Sequence, residues 1–148
     1  DELVYAFMDL FPINFGHVLV VPREHHVSAA TIPENVAGRM FLVGARIGVA
    51  MRRALDAEGF NFHLSDGTPA GQVVMHAHLH VIPRWTDDGF HWNWRQLEYE
   101  SDEKRMEIAA KLVEKFKLVR DDSELAANAD EGGTEYKSPL AKDGNHGS

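Results

Sequence analysis

Three histidines in strict alternation, His76, His78 and His80, offer more chemistry than any other group in this chain. Val73 to Pro83 reads as a strand, in which alternate residues face opposite sides. Met75, Ala77, Leu79 and Val81 would then share an apolar face. The imidazoles would stand in a row on the other, about 7 Å apart. One histidine on a strand is an ordinary structural residue, whereas three in register are hard to explain by packing. Two chemistries fit. Neutral imidazoles at i and i+2 are common metal ligands, zinc above all. Alternatively one imidazole attacks phosphorus while its neighbours orient it or stabilise charge. Gly67, Gly71 and Gln72 lie just upstream. A glycine-containing loop with free N–H groups suits a phosphate, which favours the second chemistry.

The elements that must position this row can be read from pattern. Leu3 to Met8 is β-branched and aromatic enough for a strand, and His17 to Pro22 reads as a second, buried one. Between them Pro12, Asn14 and Gly16 mark a connection, so the pair predicts an antiparallel hairpin. Thr31 with Glu34 three residues on is a capping-box pattern, and Pro33 suits a first helical turn. Val36, Met40, Val43, Ile47, Met51 and Leu55 then form one apolar stripe, predicting a helix from Thr31 to Glu58 that Gly59 stops. Phe60 to Ser65 reads as a third strand and Asp66 to Gly71 as a loop. Trp85 to Glu100 is irregular. Ser101 to Leu118 predicts a second helix with Met106, Ala109, Leu112, Val113 and Phe116 on its inner face. The expected fold is α+β: a mainly antiparallel sheet, one long helix packed on it, and a second, C-terminal helix.

Composition sets the outer limits. The 148 residues fit one globular domain over 1–120 followed by a tail over 121–148. The net charge is -8, and the tail holds 7 acidic against 2 basic residues, so the excess is concentrated there. Such a tail reads as irregular, or as ordered by a partner. No basic footprint for duplex nucleic acid exists, and no apolar run or signal pattern points to a membrane. A soluble, cytoplasmic protein is expected. With no cysteine, disulfides and thiolate metal sites are excluded within the chain as it stands. The chain opens at Asp1, already inside a strand pattern, which suggests a natural segment before it.

The run Gly71-Gln72-Val73-Val74-Met75-His76-Ala77-His78-Leu79-His80-Val81-Ile82-Pro83-Arg84 closely resembles the signature of the histidine triad (HIT) superfamily of nucleotide hydrolases and transferases, His-φ-His-φ-His-φ-φ with φ apolar. Gly16-His17-Val18-Leu19-Val20-Val21-Pro22 is similar to that family's second landmark. Ala6-Phe7-Met8-Asp9 stands where the family contacts base and ribose. The resemblance runs from about Leu3 to Arg84, with the elements in the same order.

The resemblance implies that His78 attacks the α-phosphate and carries a nucleotidyl-histidine intermediate, which water resolves. It implies that the main-chain carbonyl of His76 holds the other ring nitrogen of His78, that His80 contacts phosphate oxygens, and that His17 completes the cluster. Gln72 would reach the phosphates or the leaving group, and Asp9 the ribose. Phe7, Leu10 and Ile13 would line the base pocket, although Phe7 and Leu10 equally suit a core and Asp9 a turn. Arg84 has the charge for phosphate but stands at a strand end. Trp85, Trp92 and Trp94 suit base stacking or dimer packing. Val73 replaces a hydroxyl residue common in relatives, leaving a backbone N–H for the phosphate, and Ser65 stands where relatives carry Asn or Gln. The histidine chemistry requires no cofactor and no metal. Many bacterial relatives build a structural zinc site from an N-terminal Cys-x-x-Cys and histidines that His25 and His26 resemble. If a natural N-terminal segment is missing here, a structural zinc would return. The expected partners are a nucleotide substrate and a second copy of the chain, as a homodimer. The expected reaction releases a nucleoside monophosphate from a dinucleoside polyphosphate, or from a nucleotide joined to an amine or sulfate. The alternatives are a dinucleoside polyphosphate phosphorylase, and a metal-binding or nucleotide-binding protein with weak turnover.

Overall fold

The computed structural model describes residues 1–93 and 95–116; Trp94 and the acidic tail lie outside the described residues. Four strands form one antiparallel sheet in the order β1-β2-β4-β3, with β1 over Val4–Met8, β2 over Val18–Pro22, β3 over Gly59–His63 and β4 over Leu79–Arg84. The long helix α1 spans Glu34–Ala54 and the C-terminal helix α2 spans Asp102–Phe116. The expected α+β architecture is therefore present, and the first two strands pair as the predicted hairpin, Val4 opposite Pro22 through Met8 opposite Val18.

Period-two alternation divides the sheet into two faces. Val4, Val20, Leu79 and Val81 pack with Met40 and Met51 of α1 in the buried core, and Val18, Val43, Ile47, Phe60 and Phe62 close around them. The helix contributes its inner face largely through methionines and two glycines: Met40, Gly44, Gly48 and Met51 are the buried positions. The glycines allow close approach. A Cβ on Gly48 would stand 2.5 Å from the Phe60 ring, and one on Gly44 would stand 3.1 Å from Phe62. Gly48→Ala should therefore destabilise the fold. The gain in helix propensity, about 1 kcal/mol, is outweighed by overpacking of about 1–3 kcal/mol. Urea unfolding would show a lower midpoint at unchanged slope, and a raised midpoint would contradict this packing.

Three boundaries differ from expectation, each for a local reason, and one expected inner face is exposed. The histidine strand starts at Leu79 instead of Val73. Its partner β2 ends at Pro22, which has no N–H to continue a ladder. Upstream, single bonds hold the chain instead: Ala77 donates to the His26 carbonyl at 2.6 Å. Met75 is consequently 40% exposed and does not share the face of Ala77, Leu79 and Val81. The long helix begins at Glu34, with Pro33 at its N-cap. Thr31 is not a cap, because its hydroxyl donates to the Ser28 carbonyl in a short 3-10 turn that Ser28 itself caps. The helix ends at Ala54 before Gly59, where Leu55 closes it and Asp56 turns left-handed at φ 53°. Finally, no residue of α2 is buried against another described element. Every residue in it is exposed, including the stripe Met106, Ala109, Leu112, Val113 and Phe116. Among the described residues no helix is long and apolar enough to cross a membrane.

Candidate active site

The sheet face opposite α1 carries the histidines. One cross-strand rung runs Phe7, Leu19, His80, His63 from β1 to β3. Directly paired residues of antiparallel strands share a face. A cavity of about 340 Å³ opens on this face, lined by Tyr5, Phe7, Leu19, Val21, Val74, His76 and His78. Its lining is largely apolar with two histidines, a composition suited to a ring with a polar substituent.

The imidazole of His78 is held in one orientation. Its Nδ1–H donates to the carbonyl of His76 at 2.7 Å. A carbonyl can only accept, so the proton sits on Nδ1, and Nε2 of the neutral ring keeps its lone pair. His80 stands beside it at a ring separation of 4.8 Å.

Behind His80 lies His17, 1% exposed, with its Nε2 at 2.9 Å from His80 Nδ1. The Ile13 N–H donates to His17 Nδ1 at 3.3 Å. That bond makes His17 Nδ1 the acceptor, so its Nε2–H donates to His80 Nδ1, and the proton of His80 is left on Nε2. The relay delivers a neutral imidazole with an N–H to offer. Burial holds both rings uncharged: desolvation, with the neighbouring His78, His17 and His63, pushes His80 down to about 4. Desolvation likewise lowers His17, against the opposing pull of Asp9.

The anticipated residues separate into groups. His17, His78 and His80 meet, and Phe7 lines the cavity with His78. Asp9 stands at the cluster, its Oδ2 at 3.5 Å from His17 Nδ1 and 4.0 Å from His80 Nδ1. The row contains His78 and His80 but not the ring of His76, which turns away. Its Nε2–H donates to the Pro22 carbonyl at 3.1 Å, and its Nδ1 meets His25 Nδ1 at 3.3 Å. Leu10 is 87% exposed and Ile13 42%, and neither lines the cavity. Gln72 is 2% exposed and turned inward: Oε1 accepts from Gly67 N, and Nε2 donates to the Val27 and Val74 carbonyls. Its amide is used up within the loop. It shapes the loop that carries Val74 to the cavity and has no donor left for a phosphate. Ser65, 7% exposed, bonds His63 Nε2 at 2.9 Å, while Val73 is 59% exposed and lies outside the cavity lining. Arg84 is engaged with Asp88, Asn61 and the Phe90 carbonyl, so it clamps a loop.

Sequence reading missed Tyr5, Leu19, Val21, Val74 and His63. For Tyr5, Leu19 and Val21 the signal was available, since each shares strand parity with Phe7. His63 required the pairing of β3 with β4.

Metal binding divides into two cases. His25 and His76 present Nδ1 atoms 3.3 Å apart. Two nitrogens bound to tetrahedral zinc at about 2.0–2.1 Å stand roughly 3.4 Å apart. The pair thus fits half of a structural zinc site, and among the described residues no third His, Cys, Asp or Glu completes it. His26 does not join it; its Nε2 is buried without a partner. Asp9, His17 and His80 also converge within 4.8 Å. There the two imidazole nitrogens are committed to each other and to Ile13 N–H, so the hydrogen-bonded relay accounts for the cluster.

Comparison with known proteins places this geometry in context. The HIT domain family matches residues 1–87. An uncharacterised HIT-like protein of Saccharolobus solfataricus is 41% identical over 88 residues, which cover 60% of this chain and 63% of that protein, so the match spans less than two thirds of its length. An Arabidopsis thaliana relative named adenylylsulfatase HINT3 is 28% identical over 70% of this chain and 55% of its own length. A HIT family protein from Bacillus anthracis superimposes with a TM-score of 0.71 at 35% identity, covering 78% of this chain and 83% of that one. The histidine triad nucleotide-binding protein of Candida albicans superimposes with a TM-score of 0.70 at 28% identity, covering 81% and 87%.

Proposed function

This chain belongs to the HIT domain family, and we propose that it is a nucleotide hydrolase or nucleotidyl transferase acting at an α-phosphate through a nucleotidyl-histidine intermediate on His78. The observation that carries this reading is the 2.7 Å bond from His78 Nδ1 to the His76 carbonyl, which leaves Nε2 as the nucleophile at the cavity. The family consists in general of nucleotide hydrolases, and the relatives named adenylylsulfatase and nucleotide-binding protein accord with it.

In this mechanism the base enters between Tyr5, Phe7, Leu19 and Val21, and the α-phosphate lies over His78 and His80. His78 Nε2 forms a bond to phosphorus as the bond to the leaving group breaks, its electron pair departing with that group, which takes up a proton from solvent where it is an amine. His80 Nε2–H donates to a phosphate oxygen, a bond that strengthens as charge develops. Water then attacks the phosphorus, the P–N bond breaks, and a nucleoside monophosphate leaves with His78 restored. The substrate class is a dinucleoside polyphosphate or a nucleoside phosphoramidate. No step calls on a metal. A zinc bound at His25 and His76 would be structural, fixing the segment that presents the His76 carbonyl.

The test is capture of the intermediate. Incubation with adenosine phosphoramidate, and separately with a diadenosine polyphosphate, should add one nucleotidyl mass to the Val73–Arg84 peptide after an acid-free quench. Absence of both adduct and turnover would overturn the proposal. The protein is further expected to be a homodimer, since Phe41, Leu42 and Val49 of α1 and Phe15 beside it are exposed apolar groups. Sedimentation should give twice the chain mass.

A further inference from the structure

The connection between β1 and β2 brings three groups to the histidine cluster: the Asp9 carboxylate, the Ile13 N–H and the His17 ring. Packing does little to hold it, since Leu10, Phe11 and Phe15 are almost fully exposed. Asn14 holds it by hydrogen bonds instead. Its carbonyl accepts from His17 N–H at 3.0 Å, closing a turn in which Gly16 takes a left-handed φ of 103°. Its side-chain Nδ2 donates to the Pro83 carbonyl at 2.9 Å and to Asp88 Oδ2 at 2.8 Å. Both partners can only accept, so the orientation of the amide is fixed and both its protons are used. Asp88 is gripped in turn by Arg84 and by the Trp85 and Phe90 N–H groups. The Arg84 guanidinium holds the Asp88 carboxyl well below the usual carboxylate range, so this anchor stays ionised at any working pH.

The residue beside Asn14 decides where a proton sits. His17 Nδ1 has two groups in reach, the Ile13 N–H at 3.3 Å and Asp9 Oδ2 at 3.5 Å. An N–H only donates and a carboxylate only accepts, so the first needs a bare Nδ1 and the second a protonated one. The choice runs on into His80, whose Nδ1 lies 2.9 Å from His17 Nε2. With Ile13 bonded, His17 donates to His80 and His80 keeps its own proton on Nε2. With Asp9 bonded, His80 Nδ1 donates to His17 and its Nε2 is bare. Each ring carries one proton in both arrangements. Only the group that His80 offers to a phosphate oxygen changes, from a donor to a lone pair. Hydrogen bonds to a charged acceptor are the stronger kind, so the pull of Asp9 must be countered by keeping the Ile13 N–H in place. We infer that Asn14 is a positioning residue: tied to Pro83 and Asp88, it holds the Ile13 N–H on His17 and so makes His80 present a proton to the phosphate. Its bearing on the chemistry rests on the proposed reaction, whereas its control of the two tautomers does not.

Histidine-selective ¹⁵N labelling reads the tautomers directly, because protonated and bare ring nitrogens resonate far apart. Spectra of His17→Gln and His80→Gln assign the two rings. At about pH 8, above the ordinary histidine range, both should carry the proton on Nε2 in the wild type. Asn14→Ala releases the loop and Ile13→Pro deletes the donor itself, and each should move the His80 proton toward Nδ1. In single turnovers with adenosine phosphoramidate both variants should form the His78 adduct about a hundredfold more slowly, the usual cost of one lost donor to developing charge, at nearly the same half-saturating concentration. Thermal unfolding of each variant establishes that it is folded. A purely structural anchor would lower the unfolding midpoint and leave the tautomers as they were, which overturns the inference. A bare His80 Nε2 in the wild type overturns it too, whether or not either variant folds. Shifted tautomers with unchanged rates remove the role of Asn14 in the reaction. Shifted tautomers in a protein that forms no adduct and turns nothing over sink the proposed reaction and keep the control of His80 by Asn14.

Discussion

His78→Ala is expected to abolish the nucleotidyl adduct and to lower kcat by at least about a thousandfold, because loss of a nucleophile removes the covalent route outright. The informative comparison is His76→Ala. His76 acts on His78 through its main-chain carbonyl, which alanine retains, while its own ring bonds the Pro22 carbonyl and meets His25. The second variant should therefore keep the adduct and lose far less, roughly tenfold, through a looser hold on the segment. Two neighbouring histidines of one motif would then differ by orders of magnitude. Equal losses in both variants would mean that the His76 ring takes part in the chemistry and that the backbone account is wrong. Adduct mass and single-turnover rates at saturating substrate decide between them.

Acid should unfold this protein through the same cluster. Burial lowers His80 from its ordinary 6.5 to about 4 and lowers His17 as well. Above 6.5 neither the folded nor the unfolded chain protonates these rings, and their contribution to stability is complete. As pH falls below 6.5 the unfolded chain takes up protons that the folded one refuses, so stability drops steadily until the folded His80 titrates near 4. The loss attributable to His80 is on the order of 2–3 kcal/mol over that window. The midpoint of thermal unfolding should fall from pH 7 to pH 4, and the fall should be shallower in His80→Gln, whose side chain does not titrate. A slope unchanged by that substitution would assign acid sensitivity to other groups. Asp88 does not compete within this window, since Arg84 keeps it ionised throughout.

The elements and the principal site residues were legible from local pattern. A β-branched and aromatic run marks β1 and an unbroken apolar run marks β2 whatever surrounds them, and the spacing of Val36, Met40, Val43, Ile47 and Met51 admits only a helix with one buried side. His78 and His80 could be paired from their separation alone. Boundaries were less legible, because competing partners set them. Thr31 has the right spacing to cap α1, yet its hydroxyl bonds the nearer Ser28 carbonyl. The stripe on α2 has helical period but faces solvent among the described residues, and period carries no information about what lies opposite.

Residue types and spacing therefore determined the strand-and-helix order, the two-sided sheet and the presence of an alternating histidine row. These properties depend on neighbours within a few positions. The His76 carbonyl at His78 was implied by the family resemblance, and the other atoms that meet were decided by tertiary structure. It turned the His76 ring away to the Pro22 carbonyl, turned Gln72 into the loop, and made His17 donate to His80 across two strands. It also brought His63, fifteen residues upstream of His78, onto the same rung as His80. A hydrogen bond is directional over a few tenths of an ångström, and a local sequence pattern fixes no position that closely.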